Sequence, residues 1–213
     1  SIKNTFNTAK SQFFNICFTG AGPVTASVVG DGNIQTSFGQ SSWEKTMQLT
    51  SGNAVYVSND DCYIDIFPYE NIWRIELGGS GSTGEFYNKD IVNIETLKYT
   101  PVVNLLIPET IIPMHLEYLT QPELQNIRMN SCPMVTGELS LLEGKTIGVF
   151  HLTGNSKVTG SLDSFLNITP RNGSGDINLS ATPNIYKKRS TITALQSAGW
   201  TVTVTPEEVD ENS

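Results

Sequence analysis

Val135-Thr136-Gly137-Glu138-Leu139 returns as Val158-Thr159-Gly160-Ser161-Leu162, a spacing of 158 − 135 = 23 residues. Ahead of each copy lies one apolar frame, Leu124-x-x-Ile127-x-Met129-x-x-Cys132 and then Ile147-x-x-Phe150-x-Leu152-x-x-Asn155. The two closing apolar residues of each frame stand one apart and so share a face of a strand. Cys132 or Asn155 follows where the chain turns away and its backbone needs a side-chain partner. A unit this short cannot bury its own apolar side, so neighbours must stack.

Looser copies lie on either side: Ile72-x-x-Ile75-x-Leu77, Ile94-x-x-Leu97-x-Tyr99 and Ser174-x-x-Ile177-x-Leu179. With the second apolar position as marker the steps are 97 − 75 = 22, 127 − 97 = 30, 150 − 127 = 23 and 177 − 150 = 27. The long step spans Pro101, Pro108 and Pro113, as an enlarged return segment would. The frame L-x-x-L-x-L-x-x-N/C resembles the leucine-rich-repeat signature. That resemblance implies one short strand per repeat, a return segment and a right-handed solenoid.

Before the frames, short alternating stretches at 13–18, 24–29, 34–38, 46–50, 54–57 and 63–67 are separated by Gly, Asn and Asp turns, an all-β pattern. Six short strands in so few residues imply a small β-sandwich. Val29-Gly30-Asp31-Gly32 resembles the W-G-D-G turn of polycystic-kidney-disease-type (PKD-type) sandwiches, with Val29 in place of the tryptophan. A sandwich followed by degenerate leucine-rich repeats is similar to surface proteins of gut-dwelling bacteria. The expected fold is therefore β-rich with some α: a PKD-like β-sandwich over 1–68, then a short leucine-rich-repeat-like right-handed solenoid over 69–205. The short junction at Pro68 suggests that the sandwich caps the open edge of the solenoid. At the far end, 190–198 reads as a helix stopped by Gly199 and 200–204 as a strand, a pair suited to cap the last repeat. The acidic tail 206–213 carries too little apolar content to fold.

Charged residues make up 16% of the chain, below the roughly 25% of ordinary soluble domains, and the formal net charge is −8. Ser, Thr, Asn and Gly fill their place, a bias common in secreted and surface-exposed proteins. The acidic balance argues against nucleic acid or an anionic membrane as partner. No apolar run reaches the roughly 20 residues a spanning helix needs. The chain opens on Ser1-Ile2-Lys3-Asn4 without a signal-peptide core, so an exported form would have lost its signal. Of three cysteines, Cys17 sits opposite the Phe14/Ile16/Phe18 face whereas Cys62 shares parity with Ile64 and Ile66, which disfavours a disulfide between them.

Gly79-Ser80-Gly81-Ser82-Thr83-Gly84 matches G-x-G-x-x-G, with Glu95 downstream, but residues 85–90 make a poor start for the helix that a dinucleotide site requires. A glycine-rich loop is the plainer reading. Gly144-Lys145-Thr146 lacks the earlier glycine of a phosphate loop, and no G-x-S-x-G elbow is present. His115 and His151 stand in different repeats without a partnered nucleophile, His151 at an outward strand position. Asp31, Asp60, Asp61 and Asp65 could hold calcium, although solvated turn carboxylates explain them equally, since no D-x-D-x-D-G loop is written. No catalytic residue, metal site or cofactor is assigned.

What remains is a surface. The residue between each closing apolar pair points outward on the strand-lined face, giving a column of Glu76, Lys98, Arg128, His151 and Asn178. Two residues earlier runs a second column of Arg74, Thr96, Asn126, Val149 and Asp176. Such ladders are the binding surfaces of solenoids, and an ordinary solvated sheet face is the alternative. The reading is a non-enzymatic extracellular or cell-surface binding and adhesion protein, of bacterial type, whose ligand is a protein or a glycan. Lys98 and Arg128 would anchor an acidic partner. A carbohydrate-binding accessory module, favoured if Trp43, Trp73 and Tyr99 line one surface, and a structural subunit of a surface or phage-tail assembly are the alternatives.

Overall fold

The computed structural model describes residues 2–4, 12–18, 24–29, 33–35, 46–49, 54–58, 62–77, 91–92, 94–107 and 113–213, mainly as backbone before Phe67. The pairing of Cys17 with Cys62, the aspartates at 31, 60, 61 and 65, Trp43 and the loop 79–84 concern side chains or segments outside that description.

The chain is β-rich, with one α-helix among the described residues. Its strands run β1 (Ile2–Asn4), β2 (Gln12–Phe18), β3 (Val24–Val29), β4 (Asn33–Gln35), β5 (Thr46–Leu49), β6 (Ala54–Ser58), β7 (Cys62–Phe67) and β8 (Ile72–Leu77). There follow β9 (Ile91–Val92), β10 (Asn104–Leu106), β11 (Asn126–Met129), β12 (Gly137–Glu138), β13 (Thr146–Ile147) and β14 (Val149–Leu152). The last are β15 (Val158–Ser161), β16 (Thr169–Pro170), β17 (Gly175–Leu179), β18 (Ile185–Lys188), β19 (Trp200–Val204) and β20 (Val209–Asp210). The six early strands read from the alternation all form, within one to three residues of the expected ends. They divide between an antiparallel five-stranded sheet, β5-β3-β7-β1-β9, and one end of a nine-stranded sheet, β19-β17-β14-β11-β10-β8-β2-β6-β4.

In the nine-stranded sheet β8 joins the two halves of the chain. It runs antiparallel to β2, with Ile75 opposite Ile16, and parallel to β10, with Ile75 opposite Leu105. Backbone hydrogen bonds thus cross the boundary expected at residue 68. From β8 onward each step is parallel and in register, Leu105 to Ile127 to Phe150 to Ile177 to Val202. A second parallel ladder, β12-β15-β18-β20, stacks the return segments.

One frame is displaced. Ile94–Tyr99, expected as a repeat strand, is a 3₁₀ helix, and the strand of that unit is Asn104–Leu106. The observed marker steps are 105 − 75 = 30, 127 − 105 = 22, 150 − 127 = 23, 177 − 150 = 27 and 202 − 177 = 25. The enlarged unit is therefore the one between β8 and β10. Leu97 is apolar and 2% exposed as a frame residue would be, but it buries from a helical return segment, where one apolar side chain per turn satisfies the same spacing.

The core lies between the strand ladders. Exposure alternates along β11, β14 and β17, with Ile127, Met129, Phe150, Leu152, Ile177 and Leu179 inward. Phe150, Phe165 and Trp200 continue it through edge-to-face contacts at 5.4 and 5.5 Å between centroids, geometry that adds to plain area burial. The repeated glycine of the opening motif has a backbone reason: Gly137 and Gly160 take φ of +119° and +101°, which other residues rarely adopt. A Cβ on Gly160 would also stand 2.9 Å from Glu138 Cγ.

Cys132 and Asn155 occupy equivalent buried turns, as the frame implies. Asn155, 1% exposed, donates through Nδ2 to the carbonyls of Cys132 and Val135 and accepts from the amides of Lys157 and Val158, all at 2.8–2.9 Å. The Cys132 thiol donates to the carbonyl of Ile107 in the preceding unit. Thr182 fills the next such turn, bonding to the Leu179 carbonyl.

The C-terminal helix α1 (Arg189–Ser197) and β19 form as expected, with Trp200 buried and Val202 and Val204 packed partly against the core. The tail 206–213, expected to be unstructured, instead makes a 3₁₀ turn and β20, which pairs parallel with β18. Its anchors are polar. Glu208 meets the fully buried Lys187 at 2.8 Å, Arg189 forks onto Glu211, and Ser190 N donates to the Ser213 carbonyl. Low apolar content does not prevent order where a buried ammonium requires a counter-charge.

Candidate functional site

The parallel registers align outward side chains into two rows across six strands. One row is Arg74, Asn104, Asn126, Val149, Asp176 and Thr201; the other is Glu76, Leu106, Arg128, His151, Asn178 and Thr203. Strands in a sheet lie about 4.8 Å apart, so neighbouring members of a row touch. Seven of the eight binding residues read from the sequence belong to these rows: Arg74, Glu76, Asn126, Arg128, His151, Asp176 and Asn178. Lys98 does not, and neither does Thr96. Both belong to the 3₁₀ helix, and Leu106 and Asn104 take their places. Val102-x-x-Leu105-x-Ile107 carries the frame as well as Ile94-x-x-Leu97-x-Tyr99 does, and would have supplied Asn104 and Leu106. Thr201 and Thr203 were legible as outward positions of the alternating terminal strand.

Within the rows the side chains are organised by one another. Arg74 pairs with Glu76 at 3.2 Å, and the Glu76 side chain is only 11% exposed against 32% for Arg74. Asn126 Nδ2 donates to Asn104 Oδ1. Across three strands, Arg128 Nη1 stands 3.4 Å from His151 Nδ1, while His151 Nε2 meets Asp176 Oδ2 at 2.9 Å. Guanidinium has no acceptor, so this arrangement suits the imidazole tautomer that carries its proton on Nε2 and presents the Nδ1 lone pair to Arg128. Both ring nitrogens are then engaged, which leaves His151 a linker between charges rather than an open base. Asn178 Oδ1 accepts from Ser180 N and Oγ and serves its own turn. The groups of these rows that remain to meet a partner are Arg74, Arg128 and Asp176, the last with a side chain 44% exposed. Among the described residues, no three of His, Cys, Asp and Glu converge as metal ligands would.

His115 is drawn into the back of the units: it bridges to Thr136, and its Nδ1 accepts from the Glu117 amide at the start of the 3₁₀ helix Leu116–Leu119. Lys145, of the failed phosphate-loop match, is buried and donates to the Gln121 carbonyl, and burial lowers its pKa to about 8. Lys98 lies beside an open cavity of about 570 Å³ together with Tyr99 and Gln121. Trp73 is half-buried, and Tyr99 is 72% exposed. No helix among the described residues is long and apolar enough to cross a membrane. Comparisons of the chain with protein-family models, with curated proteins and with solved structures return no match.

Proposed function

We propose that this chain is a non-enzymatic, extracellular or cell-surface binding protein that holds its partner on the outward face of the parallel strands. In this reading the units from β8 to β19 are a degenerate leucine-rich-repeat-like, right-handed solenoid, and the N-terminal sheets are its PKD-like sandwich. Steps of 22 to 30 residues, in-register parallel pairing and the side-chain-filled turns at Cys132, Asn155 and Thr182 support it. A surface location rests on the Ser, Thr, Asn and Gly-rich composition.

The observation that carries the binding role is the Arg128–His151–Asp176 chain, which fixes one cation and one anion on an exposed face at defined spacing. Preset charges of both signs favour selectivity and association rate over bulk affinity, as suits a polar protein surface or a glycan. The corrected position of Lys98 removes the two-cation anchor for an acidic ligand. The test is a double change, Arg128→Ala with Asp176→Ala, measured against a partner identified by array or mucosal-extract pull-down and confirmed with purified components. Binding should weaken at least about tenfold while stability moves by no more than about 0.5 kcal/mol, the ordinary range for surface changes. Unchanged affinity would remove the strand face from consideration. A carbohydrate-binding role is the second reading, favoured by the exposure of Tyr99 at the rim of a cavity.

A further inference from the structure

We propose that the cavity beside Tyr99 is a binding site for a neutral saccharide, separate from the outward strand face. The inference rests on the carbohydrate reading and is independent of the strand-face one. The cavity, about 570 Å³ and open, draws on Glu70, Lys98, Tyr99, Thr120, Gln121 and Glu123. That volume falls within the roughly 300–1,000 Å³ of small-molecule sites.

Three features define what it takes. The first is an aromatic plate: Tyr99 is 72% exposed, with Lys98 Nζ 5.0 Å from its ring centroid. Lys98 fixes the ring as a cation over its π-face, and the rest of the ring remains open for an apolar surface to cover. The second is an acceptor without a donor. Gln121 is 6% exposed, its Nε2 donates to the Leu97 carbonyl at 3.1 Å, and its Oε1 has no hydrogen-bond partner. A buried polar atom left unsatisfied costs free energy that a donor group on a ligand would return. The third is charge: two carboxylates, Glu70 and Glu123, face one ammonium.

Together these select by exclusion. The paired carboxylates repel an anionic ligand, and Lys98 against the Tyr99 ring repels a second cation from the aromatic face. A neutral pyranose meets both demands: its C–H face stacks on Tyr99, and its hydroxyls donate to Gln121 Oε1, Glu70 and Glu123. The wall is fixed in advance. Lys145 Nζ and Leu124 N both donate to the Gln121 carbonyl, and Thr120 Oγ1 donates to the Glu117 carbonyl. A prearranged wall lowers the ordering cost of binding.

The experiment uses the whole chain on an array of neutral oligosaccharides (glucans, mannans, galactans, xylans, N-acetylglucosamine oligomers) beside sialylated and sulfated ones. The best neutral binder is then titrated calorimetrically. The expected result is binding of a neutral glycan that Tyr99→Ala weakens at least tenfold, that Tyr99→Phe retains and that Arg128→Ala leaves unchanged. Tyr99 is largely exposed, so both Tyr99 variants should fold, and circular dichroism checks that they do. Recognition of charged glycans alone, no neutral glycan bound, or full affinity in Tyr99→Ala would overturn the proposal. Loss in Arg128→Ala with Tyr99→Ala unaffected would place the sugar on the strand face instead, sinking this site while leaving the other standing.

Discussion

Replacing Asn155 by alanine removes four hydrogen bonds at one buried point. The side chain is 1% exposed and bridges two units: Nδ2 holds the Cys132 and Val135 carbonyls of one, and Oδ1 holds the Lys157 and Val158 amides of the next. At a net ~1 kcal/mol each, the loss is about 4 kcal/mol, a large share of the 5–15 kcal/mol that holds ordinary domains folded. Urea unfolding should show the midpoint fall with little change in slope. Hydrogen exchange adds a local readout, in which the amides of Lys157 and Val158 lose protection. Asn155→Thr is the milder companion, since threonine fills the equivalent turn at Thr182 and bonds the Leu179 carbonyl. Asn155→Asp keeps the acceptor but turns oxygen toward two carbonyls, so it should be at least as damaging as alanine at neutral pH. A loss below about 1 kcal/mol in Asn155→Ala, with both amides still protected, would refute the account of this turn as the joint between units.

Glu208→Gln should destabilise by about 3–5 kcal/mol, because it strips the counter-charge from a fully buried ammonium. Adding Lys187→Met should recover most of that loss, and a melting temperature as low in the double variant as in the single would contradict it. Lys145 supplies a pH signature. Its folded-state pKa of about 8 lies below the unfolded 10.5 because burial disfavours the charge, so the unfolded chain binds more protons between those values and stability rises with pH across that window. Measured against Lys145→Met from pH 7 to 10, the wild type should gain about 1 kcal/mol above pH 8, less than the full shift implies because the amine is partly screened by solvent. A flat difference would show that the amine is not desolvated.

The amino-acid sequence by itself determined the periodic part of the molecule. Apolar pairs such as Phe150/Leu152 can be buried only by stacking, and a glycine at 137 and 160 marks a backbone angle that no other residue takes easily. These are local demands, so they are legible locally, and they carried with them seven of the eight expected face residues. Where two segments met the same demand, the chain alone could not choose. Ile94–Tyr99 and Val102–Ile107 both present the frame, and only the partner strands, β8 on one side and β11 on the other, settle that Leu105 is in the ladder and Leu97 in a helical return. Lys98 moved from the face to the cavity for that reason. The tail 206–213 was misread for a related one: its order comes from Lys187, whose burial is fixed by the parity of β18 and whose counter-charge is supplied by a segment 21 residues further on. The joining of the N-terminal strands to the repeats through β8, and the meeting of Tyr99 with Gln121, likewise depend on contacts between distant segments. A sequence records what each residue prefers to bury; which of several candidates is buried is decided by the neighbour that covers it.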